Sequence, residues 1–314
     1  MTPHAAFPIA ELLPDIRRML QTGTRLVLEA PPGAGKTTQV PLALLDADWL
    51  RGRKIVMLEP RRVAARAAAQ FMAKQLGEAV GDTVGYRIRF ENKITAKTRI
   101  EVVTEGILTR MLQDDPMLES VGAILFDEFH ERHLAGDLGL ALALDVQAGL
   151  REDLRLVAMS ATLDGEKLAA FLDAPRLSSA GRSFPVRIAH FPARRDEAIE
   201  HQVKRAVDHA LTEHPGDVLV FLPGQREIGK VQTLLAWLHD DGAASPSSGA
   251  SRHLLPAGEG RAQEVEILAL HGELPVEQQS RVLQPSQDGR RRVVLATNVA
   301  ESSVTLPGVR VVID

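Results

Sequence analysis

The first half of the chain alternates short apolar runs with stretches in which apolar residues recur at helical spacing. Residues 26–38 have the pattern of an apolar strand, a Pro/Gly turn and the start of a helix. The later runs predicted as strands are residues 54–58, 99–103, 123–126 and 154–159, and the segments predicted as helices are 61–76, 106–112 and 138–147. Continuous apolar strands separated by helices are typical of a parallel sheet covered on both faces. The pattern therefore predicts a doubly wound α/β domain.

A second alternating series follows a stretch that is rich in breakers of regular structure. Gly181, Pro185 and Pro192 interrupt the pattern and indicate an interdomain connection. Beyond it, the predicted elements are a helix at 197–213, a strand at 217–222, a helix with Ile228, Val231, Leu235 and Leu238 on its apolar face, and strands at 267–270, 293–296 and 309–313. A second α/β unit is expected here.

The chain is therefore expected to form two domains. The predicted boundaries are residues 1–180 for the first domain, 181–195 for the linker and 196–314 for the second domain. A Gly/Ser/Ala/Pro-rich segment at residues 241–260 is interpreted as a flexible surface loop. Because the sequence stops at Asp314, directly after a predicted buried strand, we expect the second domain to be incomplete at its C-terminus.

Composition narrows the class of protein. Of the 314 residues, 45% are hydrophobic and 25% are charged, and the longest apolar run, residues 138–144, is far shorter than a membrane span. The sequence has no cysteine, which excludes disulfides and thiolate metal sites and favours a cytoplasmic location. A net charge of −4 argues against a protein that coats nucleic acid, so any such contact must be local.

The turn within residues 26–38 has the features of a phosphate-binding loop. Small residues allow backbone N–H groups to surround a β-phosphate at a helix N-terminus. Lys36 would supply positive charge to the β- and γ-phosphates, and the Thr37 hydroxyl would bind Mg²⁺. The residues predicted to bind nucleotide here are Gly33, Ala34, Gly35, Lys36, Thr37 and Thr38. A chance Gly-rich turn is the alternative, which the preceding strand and following helix make less favourable.

Two carboxylates directly follow the predicted strand at 123–126. Asp127 is positioned to hold Mg²⁺, and Glu128 to orient and deprotonate an attacking water molecule. A solvated acidic pair at a strand end is the alternative interpretation. The position of the pair, about 90 residues after the phosphate-binding loop, favours phosphoryl transfer, which needs mainly positioning and neutralisation of charge.

Seven segments in order resemble the motifs of the DEAH-box helicases of superfamily 2. They are APPGAGKTT, LEPRRVAA, VVTEGILTRML, DEFHER, SAT, VFLPGQREI and ATNVAESSVTLPGVRVVID, which resemble motifs I, Ia, Ib, II, III, IV and V. The DEFHER variant and its neighbours are most similar to the bacterial HrpB-type ATP-dependent helicases. The resemblance runs from about residue 20 to the end of the chain and implies two tandem RecA-like domains.

The resemblance also implies roles for individual residues. The residues implied for the nucleotide site are Lys36, Thr37, Asp127 and Glu128. His130 is implied to link this site to the second domain. Ser160 and Thr162 are implied to couple the catalytic centre to the cleft between the two domains. Those implied to contact nucleic acid are Arg61, Arg62, Thr104, Glu105 and Thr297, and Glu301 and Ser303 belong to the same last motif as Thr297. The alternatives left open are a core histidine at 130, a simple turn at 160–162 and solvated arginines at 61–62.

Two departures from the family pattern affect the expected chemistry. Phe71 occupies a position near which relatives often have an arginine that stacks on the base, so Phe71 either stacks there or packs in the core. Motif VI, whose arginines reach the γ-phosphate, is absent from the 314 residues. Since such an arginine is worth ~10³ to 10⁵ in rate, this chain is expected to bind nucleotide but to hydrolyse it poorly and not to unwind duplexes.

The favoured function is an NTP-dependent helicase or translocase that uses ATP, or another NTP, with Mg²⁺ and moves on single-stranded nucleic acid, RNA being favoured over DNA. A nucleotide-switched clamp that binds nucleic acid without unwinding is the first alternative. A metabolic phosphate-loop kinase is the second, and the two tandem α/β domains argue against it. The sequence does not decide which NTP is preferred, in which direction the protein moves along nucleic acid, or its oligomeric state.

Overall fold

Two separate sheets organise the chain, one in the unit Met1–Val186 and one in the unit Arg187–Asp314. The computed structural model describes residues 7–161, 165–179, 185–192, 194–236, 265–286, 288–300 and 306–314. Within these residues, no helix combines the length and the apolar character that a membrane crossing needs.

The first unit contains an eight-stranded sheet and six α-helices in its described residues. The strands are β1 (Arg25–Glu29), β2 (Lys54–Glu59), β3 (Val84–Ile88), β4 (Glu91–Lys93), β5 (Ile100–Thr104), β6 (Val121–Phe126), β7 (Arg155–Ser160) and β8 (Arg176–Ser178). The helices are α1 (Leu13–Thr22), α2 (Lys36–Leu44), α3 (Arg62–Leu76), α4 (Glu105–Asp114), α5 (Leu134–Gly149) and α6 (Gly165–Leu172). The strand order is β4-β3-β5-β2-β6-β7-β1-β8, and every described pairing except β3–β4 is parallel.

Helices cover both faces of this sheet, so its central strands are apolar at successive positions. Within β2, Ile55 and Met57 belong to a core shared with α1, α2 and α3, whereas Val56 faces a second core shared with α4 and α5. All six residues of β6 are buried. The predicted doubly wound α/β fold is confirmed.

The parallel arrangement brings the chain's motifs to one edge of the sheet. The carboxyl ends of β3, β5, β2, β6, β7 and β1 follow one another along this edge, and adjacent strands are ~5 Å apart. We call this edge the carboxyl edge. The loop after β1 and the residues after β6 lie toward one end of it, and the ends of β2, β5 and β3 lie toward the other.

The hairpin β3–β4 was not predicted from the sequence. Its first strand contains Gly85 and Arg87, which interrupt the apolar run that a buried strand normally shows. A side chain at Gly85 is impossible without rearrangement, because a Cβ there would lie 2.2 Å from the carbonyl oxygen of Lys93. Glycine is therefore required for β4 to pair with β3 at the end of the sheet.

The second unit contains a four-stranded parallel sheet of order β10-β11-β9-β12. Its described elements are α7 (Ile199–Glu213), β9 (Asp217–Phe221), α8 (Gln225–Leu235), β10 (Val265–Leu270), α9 (Val276–Leu283), β11 (Arg291–Ala296) and β12 (Val309–Ile313). Its core joins Val207 of α7 and Val231 of α8 to Val220 and Leu295 of the sheet. The predicted second α/β unit is present, while Leu238 and the predicted loop at 241–260 lie outside the described residues.

A buried ion pair ties the amino ends of these strands together. Arg292 of β11 is 2% exposed, and its Nε donates to Oδ2 of Asp217 in β9 over 2.9 Å. The remaining guanidinium nitrogens donate to the carbonyl oxygens of Gln284 and Pro307, at 2.5 and 2.7 Å. The pair thus connects β9 and β11 to the segments that follow α9 and precede β12.

Candidate nucleotide and nucleic-acid site

The phosphate-binding loop connects β1 to α2. Gly33 and Gly35 have φ values of 76° and 93°, a left-handed conformation that favours glycine. Lys36 is the first residue of α2 and is 4% exposed, and its Nζ donates to the carbonyl oxygen of Ala30 over 2.7 Å. The following residue, Thr37, lies in the first turn of the helix, where free backbone N–H groups favour an anion.

An aromatic side chain lies directly on this loop. A Cβ built at Gly35 would lie 2.8 Å from Cβ and Cγ of Phe7, and the N–H of Ile9 donates to the carbonyl oxygen of Ala34 over 3.0 Å. The segment before α1 is therefore part of the loop's support. This contact was not predicted from the sequence, since only folding brings residue 7 next to residue 35.

The carboxylate pair follows β6, two strands away from β1. The N–H of Asp127 donates to the carbonyl oxygen of Leu58 over 3.0 Å, and Oδ1 of Asp127 accepts from the N–H of Glu128 over 2.9 Å. Asp127 is 4% exposed, and Glu128 has a left-handed backbone with φ of 49°. The fold thus brings Asp127 and Glu128 to the end of the carboxyl edge that also holds Lys36.

Neighbouring carboxyl groups at this end of the carboxyl edge have pKa values that are raised to different extents. Burial, followed by the negative charge of Asp127, raises the pKa of Glu128 to about 7, and the positive charge of Lys36 acts in the opposite direction. Glu59, at the end of β2, is fully buried, and its pKa is raised well above the usual value by burial first and then by the charges of Asp127 and Glu128. Glu59 therefore favours its protonated form beside two catalytic candidates.

The donor set fits a magnesium ion that is bound together with a nucleotide. Oδ2 of Asp127 is buried and has no hydrogen-bond donor among the described residues, and the hydroxyl of Thr37 is the second predicted ligand. No cluster of three or more potential metal ligands occurs in the part of the chain that the structure describes. Mg²⁺ is typically bound by one or two protein oxygens and completed by phosphate and water oxygens, which matches this arrangement.

His130 connects the carboxylate pair to the turn after β7. The N–H of Ala161 donates to Nδ1 of His130 over 3.4 Å, and the same nitrogen lies 3.4 Å from Oε2 of Glu128. Burial lowers the pKa of His130, which favours a neutral ring with its proton on Nε2. The carbonyl oxygen of Ser160 accepts from the N–H of Ala30 over 3.1 Å, so β7 is also joined to the phosphate-binding loop.

Four of the five residues predicted to contact nucleic acid lie toward the other end of the carboxyl edge, and the fifth, Thr297, lies in the second unit. Arg61 precedes α3, and its Nη2 lies 3.4 Å from Oε2 of Glu131, which also lies 2.7 Å from Nε2 of His133. The residues at this end of the edge are Arg61, which is partly exposed, Arg62, which is exposed, and Thr104 and Glu105, which are partly exposed at the β5–α4 junction. Glu131 therefore joins a predicted nucleic-acid contact to the segment that carries Glu128.

Phe71 lies on α3 and is 43% exposed. Its ring meets the ring of Phe7 edge to face, with centroids 6.3 Å apart and planes at 79°. Because Phe7 lies on the phosphate-binding loop, Phe71 is connected to that loop through an aromatic contact. Stacking of Phe71 on a nucleotide base stays a prediction.

The remaining site predictions fall in the second unit or outside the described residues. Thr297 directly follows β11, and its N–H donates to the carbonyl oxygen of Leu270 over 3.1 Å. Thr162, Glu301 and Ser303 lie outside the described residues. The roles suggested for all four remain predictions.

Two acidic residues of the site, Glu59 and Glu131, were not predicted as site residues from the sequence. Glu59 is the last residue of the apolar strand β2, and Asp127 directly follows the apolar strand β6. A carboxylate at the end of an apolar strand was therefore the signal available in the sequence. Glu131 stands within DEFHER, but its pairing with Arg61 joins positions 70 residues apart. Neither the burial of Glu59 nor this pairing can be inferred from residue type alone.

Family models match both halves of the chain. The model described as DEAD/DEAH box helicase matches residues 12–171, and the model described as helicase conserved C-terminal domain matches residues 201–314. The first match alone spans half of the chain.

Two kinds of relative agree with these matches. The ATP-dependent RNA helicase HrpB of Escherichia coli strain K12 is 45% identical over 311 residues, which are 99% of this chain and 36% of that protein. The crystal structure of the Escherichia coli DEAH/RHA helicase HrpB superposes with a TM-score of 0.84 at 44% identity, over 98% of this chain and 36% of that one. The crystal structure of the E. coli DExH-box NTPase HrpB gives a TM-score of 0.76 at 43% identity, with coverages of 99% and 36%. The chain thus spans about a third of the length of these relatives.

Proposed function

This chain belongs to the DEAD/DEAH box helicase family, and we propose that it is the motor region of an ATP-dependent RNA helicase. The predicted resemblance to that family is confirmed. The choice of ATP and RNA is supported by the HrpB relative, which is named an ATP-dependent RNA helicase. A cytoplasmic location belongs to the same proposal.

One observation carries the proposal. Lys36 and the Asp127–Glu128 pair lie at the same end of the carboxyl edge. The positive charge of Lys36 there opposes the rise in the pKa of Glu128 that burial and Asp127 cause. A cation for phosphate, a metal-binding carboxylate and a base with a pKa of about 7 are the groups that nucleotide hydrolysis requires.

Each group has a role in the proposed reaction. The backbone N–H groups at Gly35 and Lys36 hold phosphate, and Glu128 orients a water molecule and accepts its proton. Thr37 and Asp127 would hold Mg²⁺, which neutralises the charge that develops on the phosphate oxygens. Nδ1 of His130 accepts a hydrogen bond from the N–H of Ala161 and lies next to Oε2 of Glu128. His130 is therefore proposed to position the Glu128 carboxylate.

On the nucleic-acid side, Arg61, Arg62, Thr104 and Glu105 are proposed to contact the RNA backbone, with Thr297 contributing from the second unit. Such contacts fix register without reading the base sequence. The pairing of Arg61 with Glu131 supports communication with the nucleotide site, because an RNA phosphate and Glu131 would compete for one guanidinium group.

The test is ATP hydrolysis with and without single-stranded RNA, measured on the full-length protein. We expect Glu128→Gln to retain Mg·ATP binding and to lower kcat by about 10²- to 10⁴-fold, the usual contribution of a general base. Lys36→Ala should weaken nucleotide binding itself. Hydrolysis by the Glu128→Gln variant at the rate of the unchanged protein would contradict the proposed site.

A strand-displacement assay separates the helicase from the clamp that was considered as an alternative. A helicase separates a duplex with an RNA overhang only when ATP is hydrolysed, whereas a clamp changes its RNA affinity with nucleotide and leaves the duplex intact. Slow hydrolysis by the 314-residue chain alone stays a prediction, and comparing its kcat with that of the full-length protein tests it.

A further inference from the structure

Glu131, the fifth residue of DEFHER, lies between two basic side chains. Its Oε2 is 3.4 Å from Nη2 of Arg61 and 2.7 Å from Nε2 of His133. The side chains of Glu131 and Arg61 are only 11% and 20% exposed, so solvent screens this pair incompletely. Arg61 directly precedes α3 and His133 directly precedes α5. The Glu131 carboxylate therefore bridges the starts of two helices.

The backbone links Glu131 to Glu128. Phe129–Glu131 form one 3₁₀ turn, and the N–H of Glu131 donates to the carbonyl oxygen of Glu128 over 2.9 Å. Glu128 and Arg132, which flank the turn, have φ values of 49° and 51°. Residues with side chains disfavour this conformation, which persists only where the surroundings impose it. A change in the contacts of the Glu131 carboxylate therefore acts on the turn that positions Glu128.

The charge of Glu131 reaches one group of the nucleotide site and one of the proposed RNA contacts. Burial and then the charge of Asp127 raise the pKa of Glu128, and the charge of Glu131 raises it further. Burial raises the pKa of Glu105, and the charge of Glu131 also raises it. Glu131 therefore interacts electrostatically with both sites.

A bound RNA strand would change the partner of Arg61. An RNA phosphate and the Glu131 carboxylate are both anions that form charge-assisted hydrogen bonds with a guanidinium group, so they compete for Arg61. When a phosphate takes Arg61, Glu131 retains the contact with His133. The protein with RNA and the protein without RNA would thus differ in what holds the turn of Glu128.

We propose that Glu131 is a positioning residue that couples RNA binding to the nucleotide site. It holds Arg61 while no RNA is bound, and an RNA phosphate that takes Arg61 releases the turn of Glu128. The inference rests on the proposed function, since it requires an RNA phosphate at Arg61. Because coupling between two ligands is reciprocal, a nucleotide that moves this turn also changes the affinity for RNA.

The test is the affinity of the full-length protein for a fluorescent single-stranded oligouridine, measured by anisotropy with and without Mg²⁺ and a saturating non-hydrolysable ATP analogue. The ratio of the two dissociation constants gives the coupling. Glu131→Gln keeps the size of the side chain and removes its charge. It should tighten binding without nucleotide about 1.5- to 5-fold, the usual contribution of an ion pair near the surface, and bring the ratio closer to 1 by a similar factor.

Two further variants show whether the effect passes through Arg61. Arg61→Gln should weaken oligouridine binding and also bring the ratio closer to 1, and Glu131→Gln added to it should no longer tighten binding. Asp137→Asn is the matched control, since it removes a carboxylate from the same segment that pairs with Arg132 over 2.9 Å. It should change neither the affinity nor the ratio.

The outcomes separate the inference from the function on which it rests. If the unchanged protein binds no oligouridine, the proposed function fails. If it binds, and Glu131→Gln neither tightens binding nor changes the ratio, the inference alone is overturned. Equal effects of Glu131→Gln and Asp137→Asn, or the same tightening in the Arg61→Gln background, would indicate a general effect of negative charge and would also overturn it.

Discussion

The carboxyl groups around Lys36 differ in pKa because their surroundings differ. Glu59 is fully buried beside Asp127 and Glu128. Glu128 is partly exposed, and the positive charge of Lys36 acts to lower its pKa, against the effect of burial. Burial disfavours the charged form of a carboxyl group, so Glu59 keeps its proton. A protonated Glu59 therefore adds no further negative charge to the place where phosphate must bind.

We expect Glu59→Gln to stabilise the nucleotide-free protein at neutral and higher pH. Because the pKa of Glu59 is raised in the folded state, folding is favoured below its unfolded pKa, about 4.3, and this advantage is lost as pH rises. Glutamine has the same shape and carries no proton to lose. Urea unfolding at pH 5.5, 7 and 8.5 should show a gain that grows with pH and reaches at least about 1 kcal/mol.

Glu101→Gln is the control for this prediction, because the same substitution at this position should lower the stability of the protein. Glu101 is also buried, but Lys54 and Arg87 pair with it at 2.6 and 2.9 Å. Its replacement should destabilise the protein, because two cations lose their partner. A gain for Glu59→Gln that does not change between pH 5.5 and 8.5 would show that Glu59 is ionised in the folded protein.

At the scale of elements, the β1–α2 loop depends on more than its own sequence. Gly33 and Gly35 both have positive φ values, yet a Cβ at Gly33 would meet nothing within 4 Å, whereas a Cβ at Gly35 would meet Phe7. The two glycines therefore have the same backbone requirement and different steric surroundings. They form a natural pair for separating backbone strain from side-chain contact.

We expect Gly35→Ala to weaken nucleotide binding more than Gly33→Ala does. Both changes strain the backbone by about 1 to 2 kcal/mol, but only the former must also displace Phe7 from the loop. Titration of each variant with a fluorescent ATP analogue and Mg²⁺ gives the two dissociation constants. Phe7→Gly removes the two closest contacting atoms, Cβ and Cγ, so it should recover part of the affinity in the Gly35→Ala background and none in the Gly33→Ala background. Equal losses without recovery would exclude Phe7 as the cause.

The elements differ in how well their sequence predicts them. The strands β2, β5, β6 and β7 were predicted because strands buried on both faces must be apolar at each position. The hairpin β3–β4 was missed because it lies at the end of the sheet, where Gly85 and charged residues are tolerated. The same holds for the candidate site. The order of the motifs predicted Lys36, Asp127 and Glu128. The contacts of Phe7, Glu59 and Glu131 were not predicted, because they join chain segments that only folding brings together.

At the scale of the whole chain, each unit has a separate core, and the second depends on one buried pair. Arg292 follows two other arginines in the sequence, and such a run normally indicates a solvated surface. In the fold it is nearly inaccessible, and four of its partners lie in three segments: Asp217 in β9, Val282 and Gln284 at the end of α9, and Pro307 before β12. Removing the guanidinium group would leave Asp217 buried without its charge partner.

We therefore expect Arg292→Met to destabilise the second unit by about 3 to 5 kcal/mol, the usual effect of breaking a buried ion pair. Hydrogen exchange should become faster in β9 and β11 and stay unchanged in β1 and β6, which belong to the two cores of the first unit. Arg281→Met is the control, since Arg281 pairs with Glu266 while 71% exposed, and exposed pairs contribute about 1 kcal/mol or less. Faster exchange in β1 and β6 as well would mean that the two units unfold as one, and the separate cores would then not be independent units of stability.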